Sequence, residues 1–253
     1  MKTFGPYEIV RTLGSGGFAR TCEARHVLLG VKACLKVSLR AEDDELLLRE
    51  ARVLAALRHP SLPALREVFE HPGGGLVLAM SFAEGETLDE TRPLTAIEAC
   101  RVGGKVLRAL AYLHKGGVVH GDVKPRNIVV ESLERGGDVV LVDLGLAAVR
   151  PVARTKAIGW TEAFAAPEVR AGKPPLPESD LYALAKTLDA RLAAPPPARL
   201  AEWLEALTER EPARRPRWET KDPLRWLERI RRSLERTATP KHDPRHERKV
   251  SHV

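Results

Sequence analysis

Cysteine is scarce in this chain: three among 253 residues (Cys22, Cys34 and Cys100). Their wide spacing makes neither a metal-binding pattern nor an even disulfide framework, so they read as small buried hydrophobes in a reducing compartment. No run approaches the roughly 18 uncharged apolar residues of a membrane helix. One of the longer apolar stretches, VVLVDLGLAAV, is broken by Asp143. The opening residues, MKTFGPYEIVRTLGSGG, lack the apolar core of a secretion signal, and the expected location is the cytoplasm. Internal repeats are also missing. A broad basic field is absent too: the formal charge is +7, but residues 225–253 hold nine Lys or Arg against four Asp or Glu, +5 of the total. The body of the chain therefore carries no nucleic-acid signature, and no specific nucleic-acid partner is expected. The last residues, 237–253 (TATPKHDPRHERKVSHV), mix Pro, His and charge without periodicity. They read as a disordered, solvated basic tail, with a weak anionic partner as the alternative.

What the chain does contain is a string of polar residues between two apolar runs, VVHGDVKPRNIVV (118–130). The β-branched flanks, Val118 and Val119 and then Ile128 to Val130, predict short buried strands that hold a loop on a rigid base. The loop carries a carboxylate (Asp122), an ammonium two positions on (Lys124) and an amide five on (Asn127). This set suits phosphoryl transfer, in which the protein mostly positions groups and stabilises charge. The carboxylate can orient a hydroxyl and accept its proton, and the ammonium can offset charge on the moving group. The amide oxygen is a hard ligand suited to magnesium. A plain solvated turn is the alternative.

Near the front, IVRTLGSGGFARTCEA predicts a strand, a glycine-rich turn and a second strand, with Gly14, Gly16 and Gly17 free to take backbone angles that other residues resist. A dinucleotide-binding turn would need a helix to follow, whereas the next residues predict strands. Lys36 lies within the apolar run ACLKVSL, where its ammonium needs an anion. The segment AEDDELLLREARVLAALRHP predicts a helix that ends by Pro60, with Glu50 on its apolar side as a candidate partner. Pro clusters at 174–177 and 195–197 predict turns between helices. LAEWLEAL and DPLRWLERIRRSLERTA predict amphipathic helices, the second either packing on the lobe or holding a partner.

Several motifs in order resemble the eukaryotic-type protein kinases, in particular the small bacterial Ser/Thr kinases, over residues 7 to about 216. They are LGSGGFAR, ACLK, REA, HGDVKPRN, DLG (Asp143 to Gly145), APE (Ala166 to Glu168), SDLYALA with Asp180, and EPARRP with Arg215. The resemblance implies an α+β, two-lobed fold within residues 1–236. An antiparallel-sheet lobe with one helix would occupy 1–80, a hinge 81–84 and a mainly helical lobe 85–236. It implies ATP and Mg2+ as cofactors and a protein with Ser or Thr acceptors as substrate.

By the same likeness, Leu13, Gly14, Ser15, Gly16, Gly17, Ala33, Lys36, Glu50, Met80, Ser81 and Ala83 would hold the nucleotide. Asn127 and Asp143 would hold the magnesium ions, and Asp122, Lys124 and Lys36 would be catalytic. Glu168 and Arg215 would pair structurally, Asp180 would support the catalytic loop, and Thr161 would bond Asp122. The pattern departs at Gly121, where the family commonly has arginine, so activity without loop phosphorylation, at Thr155 for example, is expected. Ala19 replaces a loop glycine, and Thr21 stands where a valine usually packs on adenine. Only 35 positions separate Asp180 from Arg215, which predicts a shortened lower lobe. A small-molecule phosphotransferase and a non-catalytic nucleotide-binding scaffold are the alternative readings.

Overall fold

The computed structural model describes residues 3–72, 74–134, 136–149 and 161–238. Thr155 and the tail from residue 239 lie outside them. An antiparallel sheet forms the first part of the chain, from β1 (Thr3–Phe4), β2 (Tyr7–Ser15), β3 (Ala19–His26), β4 (Lys32–Ser38), β5 (Leu65–Glu70) and β6 (Leu76–Ser81), in the order β1-β2-β3-β4-β6-β5. One helix, α1 (Asp44–Ala55), packs against β4, β5 and β6 through Leu47, Glu50, Ala51 and Leu54. The second part is mainly helical: α2 (Ala96–Lys115), α3 (Pro167–Arg170), α4 (Pro177–Asp189), α5 (Ala198–Leu207) and α6 (Pro223–Ala238). Short strands decorate it: β7 (Glu86–Thr87), β9 (Ile128–Val130) and β10 (Val139–Leu141) form one ribbon, while β8 (Val118–Val119) pairs with β11 (Ala148–Val149). The fold is α+β and two-lobed.

Alternation along the strands sorts residues between two cores. On β4, Ala33 and Leu35 face a small outer cluster with Phe4, Tyr7, Val77 and Ala79. Their neighbours Cys34 and Lys36 lie opposite Met80 and Leu78 on β6, and Cys34, Leu78 and Met80 join the main core that runs into the helical lobe. A one-residue step in the strand therefore decides which residues reach the space between the lobes.

The centre of the helical lobe is α2, which holds Val106, Leu107, Leu110 and Leu113 away from water. The helix α6 lies against α2 and α5, with Leu227 and Ile230 buried and Leu224 and Leu234 packed beside them. The helix thus packs on the lobe, as one of its two sequence readings has it. Trp203 of α5 is fully buried and donates its indole N–H to the Pro223 carbonyl at 3.0 Å.

A capping box starts α2: Glu98 accepts the Thr95 N–H at 2.8 Å, and the Thr95 hydroxyl accepts the Glu98 N–H. Arg92 forks onto both Glu98 oxygens, and its hydrogen bonds are the largest reason that the Glu98 carboxyl falls from 4.5 to about 2. A carboxyl depressed on folding contributes stability that is present above its unfolded value and is lost as pH falls toward the folded one. Thermal melts should therefore show Glu98→Gln less stable than the parent at pH 7, with the gap closing between about pH 4.5 and pH 2.

Candidate active site

Two lobes meet at a trio of charges. The Lys36 ammonium lies 2.6 Å from Glu50 Oε2 on α1 and 2.7 Å from Asp143 Oδ1, which follows β10. The anion that Lys36 needs is thus supplied twice. Burial would lower the lysine, but the two carboxylates outweigh it and raise its pKa, so the ammonium is held charged. Burial also opposes charge on Asp143, yet Lys36 and the Gly145 N–H overcome it and hold that carboxyl below its usual range. Burial wins at Glu50, whose carboxyl is raised despite its partner. Asp143 sits at φ 66°, a backbone region disfavoured for a residue with a Cβ. Such strained positions cluster at functional sites.

The polar residues of the loop gather around Asp122, which is buried between β8 and β9. Lys124 Nζ is 2.7 Å from Asp122 Oδ2, and Asn127 donates its amide N–H to the same oxygen at 3.1 Å. The Thr161 hydroxyl donates to Asp122 Oδ1 at 3.1 Å while accepting from Lys124 at 3.0 Å. Asn127 also donates to the Asp122 carbonyl at 2.8 Å, which turns its side-chain oxygen away from the carboxylate. That oxygen and Asp143 Oδ2 are the side-chain oxygens of the two residues that the bonds named above leave over. The donor set is one carboxylate and one amide oxygen, both hard ligands, which fits a magnesium ion that takes its remaining ligands from phosphate and water. Among the described residues no group of three or more His, Cys, Asp or Glu could hold a metal.

Asp180 supports the loop from beneath, accepting the His120 N–H and the Gly121 N–H at 2.8 Å each. Gly121 has φ +81°, and a Cβ there would lie 3.0 Å from the Leu146 carbonyl oxygen. No side chain, arginine included, fits that conformation without strain. Gly121→Ala should therefore cost about 1–3 kcal/mol of stability, read as a lower thermal midpoint, and should disturb Asp122 next to it.

The glycine turn corrects its own rationale. Gly14, Gly16 and Gly17 all keep negative φ, and a Cβ at Gly14 or Gly17 would meet nothing within 4 Å. Backbone freedom is not what these positions use; the missing side chains leave the backbone open to close approach by a ligand. Leu13 and Ser15 are exposed on the same strand. Ala33 is a second correction, since it is fully buried in the outer cluster, facing away from Lys36. The residue two before Lys36 is Cys34, on the same face as the lysine and opposite Met80. Burial pushes its thiol up to about 12, so it acts as an uncharged packing group. The alternation of a strand, counted back from Lys36, was the signal that identifies Cys34. At the end of β6 the Ser81 N–H is taken by the Ala64 carbonyl at 2.8 Å, whereas no described group accepts the Ala83 N–H.

Farther down, Glu168 of α3 and Arg215 form a buried two-pronged pair at 2.7 and 2.9 Å. Arg215 also donates to the carbonyls of Glu178, Glu209 and Arg210, and its guanidinium stacks 4.9 Å above the Tyr182 ring. A single α-helix, α5, lies wholly between Asp180 and Arg215.

Comparison with known proteins assigns this architecture to a class. The family model described as Protein kinase domain matches residues 7–225, so the match extends about nine residues past Pro216 to the start of α6. The chain belongs to the protein kinase domain family. It is 37% identical over 196 residues to the serine/threonine-protein kinase PknJ of Mycobacterium tuberculosis, covering 72% of this chain and 33% of that protein. To PrkC of Bacillus subtilis, also a serine/threonine-protein kinase, it is 29% identical over 193 residues, 71% of this chain and 29% of that protein. The human calcium/calmodulin-dependent protein kinase type 1B is 32% identical over 186 residues, 70% of this chain and 54% of that protein. The chain thus spans about a third or less of the length of these bacterial relatives. No described helix is long and apolar enough to cross a membrane.

Proposed function

We propose that this chain transfers the γ-phosphoryl group of ATP to seryl or threonyl hydroxyls of a protein substrate, with magnesium, in the cytoplasm. The observation that carries the reading is the gathering of Lys36, Glu50 and Asp143 at one junction while Lys124, Thr161 and Asn127 converge on Asp122. Lys36, kept charged by two carboxylates, holds the α and β phosphates beneath the open backbone of residues 13–17. Met80, Cys34 and the backbone of Ser81 and Ala83 surround the adenine. Asn127 and Asp143 would hold magnesium, which would supply neutralisation of phosphate charge.

Asp122 then orients the acceptor hydroxyl and takes its proton, and Lys124 stands beside it to offset phosphoryl charge. Residues 81–84 serve as the hinge between lobes at 1–80 and 85–236. Gly121 offers no cation to a phosphorylated loop, which supports activity without that modification.

A small-molecule phosphotransferase is the second reading, favoured by the His-Gly-Asp sequence and the single α-helix between Asp180 and Arg215. The Glu168–Arg215 tie and the Thr161 bridge favour a protein acceptor. Mass spectrometry after incubation of the chain with Mg·ATP and a Ser/Thr-rich protein distinguishes them. Phosphate on seryl or threonyl residues supports the proposal, and ATP turnover confined to small alcohols overturns it.

A further inference from the structure

We propose that Trp218 is a positioning residue for phosphoryl transfer: its indole N–H fixes the proton of His114 on the nitrogen that faces Asp180, and Asp180 holds the catalytic loop. The proposal rests on the reading of Asp122 as the base.

Trp218 follows the turn at Pro212–Arg214 and precedes α6, and it is only partly buried. Its Nε1 lies 3.1 Å from His114 Nδ1. An indole nitrogen can only donate, so Nδ1 must accept and carries no hydrogen. The proton of the imidazole is then on Nε2, which lies 2.8 Å from Asp180 Oδ2 and donates to it. A doubly protonated ring would set N–H against N–H at Trp218. With the proton on Nδ1 instead, a lone pair on Nε2 would face a carboxylate. The contact between His114 and Asp180 is therefore a hydrogen bond from a neutral ring.

The same Asp180 oxygen receives the His120 N–H at 2.8 Å, and its other oxygen receives the Gly121 N–H at 2.8 Å. These are the N–H groups of the two residues immediately before Asp122. Gly121 is at φ +81°, a left-handed conformation open to glycine, so the loop turns there and the Asp180 contacts fix the direction of the turn. His114 and Asp180 side chains are 4% and 1% exposed, which leaves little access for water to replace a missing donor. A chain of hydrogen bonds thus runs from Trp218 near α6 through His114 to Asp180, which also accepts from the backbone beside the base. The Trp218 and His114 rings also touch, with centroids 5.9 Å apart. Trp218→Phe keeps an aromatic ring there and deletes the donor together with one ring of the indole, and the His114→Phe background below separates the two losses.

Two measurements test this on the full chain. Histidine-selective 15N spectra, with the His114 signal identified by its loss in His114→Phe, should show a protonated Nε2 and a bare Nδ1 in the parent. In Trp218→Phe the signal should move toward a mixture of forms. A protonated Nδ1 in the parent, or a signal unchanged by Trp218→Phe, overturns the proposal.

In steady-state assays Trp218→Phe should lower kcat roughly tenfold, within the ~10²-fold that a 1 Å misplacement can cost, with KM for ATP within about twofold. In the His114→Phe background the same change should cost nothing further. An equal loss in both backgrounds, or no loss in either, would show that Trp218 acts by packing or not at all, and overturns the proposal. If the parent transfers no phosphoryl group, the proposed function fails by itself, and the spectra still decide whether Trp218 sets the His114 tautomer.

Discussion

Lys36→Met should reduce phosphoryl transfer by roughly 10²–10³-fold, the usual loss when one preorganised charge or donor is removed from a reacting centre. The ammonium is shared by Glu50 and Asp143 at 2.6 and 2.7 Å, so its removal also releases both carboxylates. Glu50 is 3% exposed, and without its cation it will take up a proton more readily than the parent residue, whose carboxyl is already raised by burial. A raised carboxyl contributes stability that is present below its unfolded value of 4.5 and lost as pH climbs through the folded one. The variant should therefore lose stability, relative to the parent, as pH rises from about 4.5. This slope is opposite in sign to that caused by Glu98. Single-turnover assays and melts across pH read the two effects separately; transfer within tenfold of the parent would remove Lys36 from the centre.

Arg215→Ala should have the largest effect on stability. The guanidinium has no exposed side-chain surface and makes five hydrogen bonds, two to Glu168 and three to backbone carbonyls. Breaking a buried pair from one side strands the other charge and costs about 3–5 kcal/mol. At roughly 2–4 °C per kcal/mol for a chain of this size, the thermal midpoint should fall by about 6–20 °C. Arg215→Lys should recover little, because a single ammonium cannot reproduce the fork and the stacking on Tyr182. A midpoint within 2 °C of the parent would show that the Glu168 tie does not hold α3 to the rest of the lobe.

Much of the site was legible because its chemistry is local in sequence. Asp122, Lys124 and Asn127 share one loop, and the requirement that a lysine in an apolar strand must find an anion led to Glu50. The structure adds Asp143 as a second anion. Spacing alone could not show it, since the contact crosses 107 positions. Ala33 was misplaced by one residue, and in a strand one residue is a change of face. The loop glycines were assigned a conformational role that their φ values do not require. The start of the long helix α2 also has a local signal, since Thr95 and Glu98 ahead of an apolar run are the signature of a helix start. His114 and Trp218 had no local pattern to reveal them, because their meaning lies in contacts 66 and 104 positions apart.

Asp122 is the group proposed to take the acceptor's proton, and radiolabelled Mg·ATP with the parent and Asp122→Asn tests this most directly. Transfer to seryl or threonyl residues should fall by roughly 10²–10⁴-fold while nucleotide affinity stays near that of the parent. Transfer at the parental rate by Asp122→Asn would contradict the account.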